Sequence, residues 1–207
     1  MIGDQPLPAM YETALRLRED IAHSTDGMRV VSCVRDPVAR HISHLFRFSE
    51  IALETGVDVL AHPESAAPWL IDHFHRRSPL TWFEDNVSGP FGVDLSDASY
   101  SPETWSFNLV SGGLKLAVVR FEDGAAARQT ALGWLFDRGK VTSAIVDSAT
   151  EHPYHAAYLA FRRSFVIPPG LAEQVYNSNM MRRFYSLDER RGFCARWLGD
   201  ATPPALS

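Results

Sequence analysis

Two short apolar runs, each leading straight into a helix start, constrain this chain more than anything else in it. Val30, Val31, Cys33 and Val34 end in Arg35-Asp36-Pro37, and Leu116 to Val119 end in Arg120-Phe121-Glu122-Asp123-Gly124. A nearly continuous apolar run of this length suits a strand buried on both faces, as in a parallel sheet. Asp36 is a good N-cap and Pro37 a good first helical residue, so the helix start is strongly signalled. Two strand-then-helix units within 207 residues predict a layered α/β domain.

The segments around these units are readable by the same rules. Pro6 to Ile21 has helical spacing, and the helix from Pro37 is expected to reach about Glu54, with Gly56 ending it. Glu64 to Phe74 and Pro79 to Val87 read as shorter helices. Ser88 to Pro102 reads as a loop with Phe91 and Val93 turned inward. Trp105 to Val110 and Leu114 to Phe121, joined by Ser111-Gly112-Gly113, predict two strands and a tight turn. Ala125 to Phe136 is the helix that follows. Pro153 to Leu198 reads as three helices, broken at Ile167-Pro168-Pro169-Gly170 and at Tyr185-Ser186. No repeat interrupts this order, and the chain is expected to be one domain.

Charge narrows the function. The formal net charge is -5, so the chain as a whole is not a basic nucleic-acid binder, and any anion must be met by local arginines. Lys115 and Lys140 are the two lysines. No apolar run approaches a membrane span, and the first residues lack the pattern of a signal peptide. Cys33 and Cys194 lie in unlike contexts. Cys33 is expected to pack as a small hydrophobe, and a cytoplasmic setting fits the cysteine usage best.

Arg35 ends its strand, where open α/β sheets place their ligands. Along the following helix Val38, Ile42, Leu45 and Phe46 share an apolar face, while Arg40, Ser43, His44 and Arg47 share the other. Arg35 and Ser43, eight residues apart, suit a phosphate clamp of guanidinium fork and hydroxyl. The spacing equally suits an Arg35–carboxylate pair beside a solvated helix face.

The pattern strand, then Arg-Asp-Pro-x-x-Arg-x-x-Ser, resembles the 3′-phosphate-binding segment of sulfotransferases that use 3′-phosphoadenosine 5′-phosphosulfate (PAPS). Val118-Val119-Arg120-Phe121-Glu122-Asp123 resembles a later element of the same fold. Trp82-Phe83-Glu84, Phe91-Gly92-Val93-Asp94, Tyr176-Asn177-Ser178 and Arg183-Phe184-Tyr185-Ser186 are similar to segments of bacterial capsular polysaccharide synthesis proteins, which are sulfotransferase-like. The resemblance runs from about Arg29 to Trp197. It implies a three-layer, mostly parallel sheet of the P-loop nucleoside-triphosphate-hydrolase type with a helical C-terminal third. It also implies PAPS as co-substrate, Arg35 and Ser43 on its 3′-phosphate, and a carbohydrate hydroxyl as acceptor. The family begins with a strand and a Gly/Ser/Thr-rich loop for the 5′-phosphosulfate. That element is expected to be missing here, which leaves a binding module without transfer as the alternative.

Sulfuryl transfer needs a base for the acceptor hydroxyl and cations for the departing phosphate. Glu84, Asp85 and Asp94 are the candidate bases, with His41 and His44 as further ones; a solvated loop or surface is the competing reading for each. Glu122-Asp123 reads as a cap and brace rather than chemistry. His73 and His75, two apart on a helix, do not face each other, so no metal is expected. Among Phe46, Phe48, Trp82, Phe83 and Phe91, most read as core, and one is a candidate cover for an adenine ring. Between Arg162 and Arg196 stand seven arginines and three acids. From this basic third Arg182 and Arg183 are the candidates for closing the cofactor site, against a charged helix face tied to Glu173, Asp188 and Glu189. A phosphotransferase would need Gly-x-x-x-x-Gly-Lys, and no such run occurs.

Overall fold

The computed structural model describes residues 27–54, 56–76, 83–139, 141–142, 152–199 and 203–206. The expected helix from Pro6 to Ile21, Trp82 and Lys140 lie outside them, as do the side chains of His73 and His75.

The sheet has four strands in the order β1-β4-β3-β2, where β1 is Met28–Val34, β2 Ser99–Ser101, β3 Ser106–Ser111 and β4 Leu114–Arg120. β1 and β4 pair in parallel along their whole length, from Met28↔Leu114 to Val34↔Arg120. The β4–β3 and β3–β2 pairs are antiparallel. The described sheet is therefore mixed, and the expectation of a mostly parallel one is corrected. The cause is the tight connection between β3 and β4. Gly112 and Gly113 take φ of +53° and +88°, the two left-handed positions that a two-residue hairpin turn requires, so β3 can only return antiparallel.

β4 is the strand buried on both faces. Leu114, Leu116 and Val118 enter the large core, while Ala117 and Val119 pack with Ala131 and Leu135 of the helix Gly124–Leu135. β1 is not. Among the described strands it stands at the edge, and its burial alternates, with Val31 47% exposed and Cys33 exposed. The expectations of a two-face β1 and of a core Cys33 are both corrected by that edge position.

Four α-helices longer than a single turn follow among the described residues of the first two thirds: α1 (Pro37–Arg47), α2 (Ser49–Glu54), α3 (Ala66–Arg76) and α4 (Gly124–Leu135). The helix from Pro37 stops at Phe48 (φ −117°, ψ 42°) and restarts as α2, so it does not run unbroken to Glu54. α1 turns Val38, Ile42, Leu45 and Phe46 inward, as its spacing predicts. Phe46 meets Tyr158 and Phe161 with ring centroids 5.8 and 5.7 Å away. The C-terminal third holds α5 (His155–Ser164), α6 (Pro169–Tyr176), α7 (Asn179–Phe184) and α8 (Leu187–Trp197). These are four helices rather than three, because Ser178 caps a new helix start through Met181 N–H. Ser186 and Glu189 then build a full capping box for α8. No helix among the described residues is long and apolar enough to cross a membrane.

At the lower end of the sheet Lys115 donates to Trp134 O (2.6 Å) and pairs with Asp137, while Arg29 Nε donates to Leu135 O (3.0 Å). Both cations satisfy carbonyls in the last turn of α4, where the helix dipole favours positive charge. Lys115 thus belongs to the end of β4 opposite Arg35.

At the upper end sits Asp36, 1% exposed. Its Oδ1 accepts from Val38 N–H (3.1 Å) and Tyr176 O–H (2.9 Å), and its Oδ2 accepts from Trp197 Nε1–H (2.8 Å). One carboxyl group therefore caps α1 and fastens α6 and α8 to the strand end. Asp36→Ala should destabilise by about 3–6 kcal/mol, because each buried donor left unpaired costs about 1–3 and a lost cap about 1. Trp197→Phe, which removes one donor and leaves two, should lose about 1–3 kcal/mol. Urea unfolding midpoints at unchanged slope measure both.

Candidate functional site

The parallel register brings the residues after β1 and β4 together. Asp36 N–H donates to Glu122 Oε1 (2.9 Å), so the junction after Val34 is pinned to the turn after Arg120. Glu122 Oε2 accepts from Tyr185 O–H (2.8 Å). Burial, then the Glu122 charge, pushes the Tyr185 phenol upward; burial and the Asp36 charge do the same at Tyr176, so both remain O–H donors. Desolvation also raises the Asp36 carboxyl, against the pull of its three donors. Glu122 is a brace. Asp123 caps nothing with its side chain; it grips Arg120 through two bonds of 2.8 Å, and Arg120 also bonds Glu189 Oε1 at 2.9 Å.

Three recesses open around this junction. The first, about 60 Å³, is walled by Cys33, Val34, Arg35, Pro37, Arg40, Phe83 and Met180. Arg35 makes no ion pair or hydrogen bond among the described residues; its guanidinium lies 4.4 Å from the Phe121 ring centroid. Ser43 does not line this cleft. Arg40, one helical turn earlier on the same face, takes the place beside Arg35.

The second recess, about 280 Å³, shares Phe83 and Met180 with the first and is lined by Glu84, Ser88, Asp94, Asn179 and Arg183. Glu84 opens a π-helical turn, Glu84–Ser88, and is exposed. Asp85, its neighbour, is exposed and does not line the recess. Asp94 accepts from Ser96 N–H at 2.7 Å; that bond first, then the Ser96 hydroxyl, holds its carboxyl below the usual carboxylate range. Arg183 is committed, donating to Ser96 O (3.1 Å) and to Ala98 O.

The third, an open groove of about 370 Å³, shares Arg183 and Phe184 with the second and adds Tyr100, Phe107, Arg120, Arg182, Tyr185 and Glu189. Arg182 is exposed and makes no ion pair among the described residues. Of the acids thought to hold the basic third, Glu189 bonds Arg120, while Asp188 pairs with Arg191 at 3.6 Å.

His41 stacks on Phe74 with centroids 4.2 Å apart, and its Nδ1–H donates to Pro37 O (3.1 Å), since a carbonyl can only accept. His44 leans on Phe48. Among the described residues no three His, Cys, Asp or Glu side chains gather as metal ligands. Phe46 and Phe83 are core, whereas Phe48 is 41% exposed. Arg35, Glu84, Asp94, Arg182 and Arg183 thus meet along one run of adjoining recesses, and Ser43 and Asp85 stand outside it. Sequence reasoning passed over Arg128, whose guanidinium shares the Phe121 ring with Arg35 at 5.4 Å. No protein-family model, curated protein or solved structure matches this chain.

Because Asp94 has a depressed folded value, its contribution to stability is present above the unfolded value of about 3.9 and fades as pH falls through the lower folded one. A carboxyl carbon titration by NMR should find Asp94 titrating below the usual carboxylate value of about 3.9. In Ser96→Pro, which removes the donor, the Asp94 value should climb back toward 3.9.

Proposed function

We propose that the chain is a sulfotransferase-like protein of the P-loop-related kind that takes PAPS as co-substrate and carries a sulfuryl group to a hydroxyl. A carbohydrate hydroxyl of a surface polysaccharide is the acceptor that the sequence resemblance favours. The observation that carries this reading is Arg35. It is a cation without a carboxylate, at the paired carboxyl ends of two parallel strands, sharing a cleft with a second uncommitted cation, Arg40. Such a position suits a phosphate, because an arginine fork makes strong charge-assisted bonds to phosphate oxygens.

When bound, the nucleotide supplies an activated sulfuryl group with a phosphate as leaving group. Arg35 holds the 3′-phosphate, with Arg40 beside it and Ser43 higher on the same helix face. Glu84, in the recess wall, takes the proton of the incoming hydroxyl, while Asp94, held low by its Ser96 bonds, is a weak base. Arg182 supplies positive charge at the rim of the neighbouring groove. The acceptor oxygen bonds to sulfur as the sulfur–phosphate oxygen bond breaks, and its proton passes to the carboxylate.

A non-catalytic nucleotide-binding or interaction module is the second reading. It draws support from Arg183, a cation of the central recess that is spent on two backbone carbonyls.

Calorimetric titration with adenosine 3′,5′-bisphosphate should give tight binding, and 5′-AMP weak binding. Arg35→Ala should lose about 1.5–3 kcal/mol, the worth of a hydrogen bond to a charged group. Equal binding of the two nucleotides, or an Arg35→Ala variant that binds as the parent does, would sink the phosphate reading. Tight binding without sulfuryl transfer to any sugar acceptor would favour the binding module.

A further inference from the structure

Phe121 leaves β4 with its ring 45% exposed, and two guanidiniums approach that ring: Arg35 at 4.4 Å and Arg128 at 5.4 Å from the centroid. Arg35 follows β1 and Arg128 lies in the first half of α4, so the ring is where two separate elements bring like charges together. Cys33 joins Arg35 and Arg40 in the cleft wall. Although the residue is exposed overall, partial desolvation of the thiol against the cleft wall raises its pKa, and Glu122 adds to that, while the positive charges of Arg128, Arg35 and Arg40 pull it down. Among the described residues, none of these three arginines has an ion pair or a hydrogen bond.

Other arginines of the fold are held. Arg29 has Asp137, Arg120 has Asp123 and Glu189, and Arg190 donates to Tyr176 O. Glu122, whose charge also acts on the Cys33 thiol, already accepts from Asp36 N–H and Tyr185 O–H. Three cations against one carboxylate leave an excess of positive charge around the Cys33 thiol, and an anion would relieve the repulsion among them.

We infer that Arg128, which stands outside the cleft wall on the Phe121 ring that it shares with Arg35, is a third anion-holding residue beside the cleft, and that the trio selects a dianionic phosphate monoester over a monoanionic diester. The inference rests on the phosphate reading above and adds a residue and a charge preference to it. A phosphate monoester carries nearly two charges at neutral pH, against one for a diester. Each uncommitted guanidinium therefore favours the monoester.

Cys33 makes the field measurable without any nucleotide. It is exposed, while the second cysteine, Cys194, is buried. The rates of Cys33 modification by dianionic 5,5′-dithiobis(2-nitrobenzoate) and by neutral 4,4′-dithiodipyridine give a ratio that reports the local charge. Arg128→Gln should lower that ratio about threefold or more, and Arg128→Lys should keep it. The same proteins are then titrated with adenosine 3′-monophosphate and with adenosine 2′,3′-cyclic monophosphate. The parent should prefer the monoester. Arg128→Gln should weaken the monoester about tenfold and the cyclic diester less. Monoester binding that is unchanged in Arg128→Gln, or an unchanged reagent ratio, overturns the role of Arg128 while leaving the phosphate reading intact. Failure of the parent to bind either nucleotide overturns the phosphate reading itself, and the inference with it. Melting temperatures within a few degrees of the parent establish that the variants are folded, and Arg128→Lys serves as the control if Arg128→Gln is not.

Discussion

One buried carboxyl group, that of Asp36, determines how the rest of this molecule is joined. A carboxylate taken from water is costly unless its lone pairs are satisfied. Asp36 is satisfied by three donors from three parts of the chain: the first turn of α1, Tyr176 at the end of α6 and Trp197 at the end of α8. None of the three is a cation, so the arrangement rests on hydrogen-bond geometry more than on charge neutralisation. The helical C-terminal third is therefore bolted to the strand end that begins the candidate site. Arg190 strengthens the same joint by donating to Tyr176 O.

The joint also fixes what stands next to it. Asp36 N–H is held by Glu122, and Glu122 is held by Tyr185, so the backbone after Arg35 has little freedom. A guanidinium on a fixed backbone loses less entropy when it meets an anion, which is the general benefit of preorganisation. The arginines at this end divide into two kinds. Arg120, Arg183 and Arg190 spend their donors on the fold, whereas Arg35, Arg40, Arg128 and Arg182 do not. The first kind contributes to stability, and the second keeps its donors facing outward from the fold.

That division was not legible in the sequence, because both kinds are written with the same letter. What could be read was local. Apolar periodicity located β1, β4 and the inner face of α1, and Gly112-Gly113 located the hairpin. The cap at Asp36 was visible from its neighbours, but its bonds to Tyr176 and Trp197 span more than a hundred residues and leave no local trace. The two-face burial expected of β1 failed for a related reason. Whether an apolar strand is central or at an edge depends on strand order, which its own composition does not encode. Ser43 does not line the cleft: it stands three residues beyond Arg40, a rise of about 4.5 Å along the helix.

The edge position of β1 bears directly on the site. α4 lies over Ala117 and Val119 of β4, and its last turn is drawn to the lower end of β1 by Arg29. Small residues on the inner face of α4, Ala127 and Ala131, let it approach β4 closely. Its axis is set by β4, so the upper part of β1 on that face keeps Val31 and Cys33 exposed. The same topology that leaves apolar side chains uncovered thus permits three uncommitted cations to stand around Cys33 and Phe121, within reach of an anion arriving from the open side.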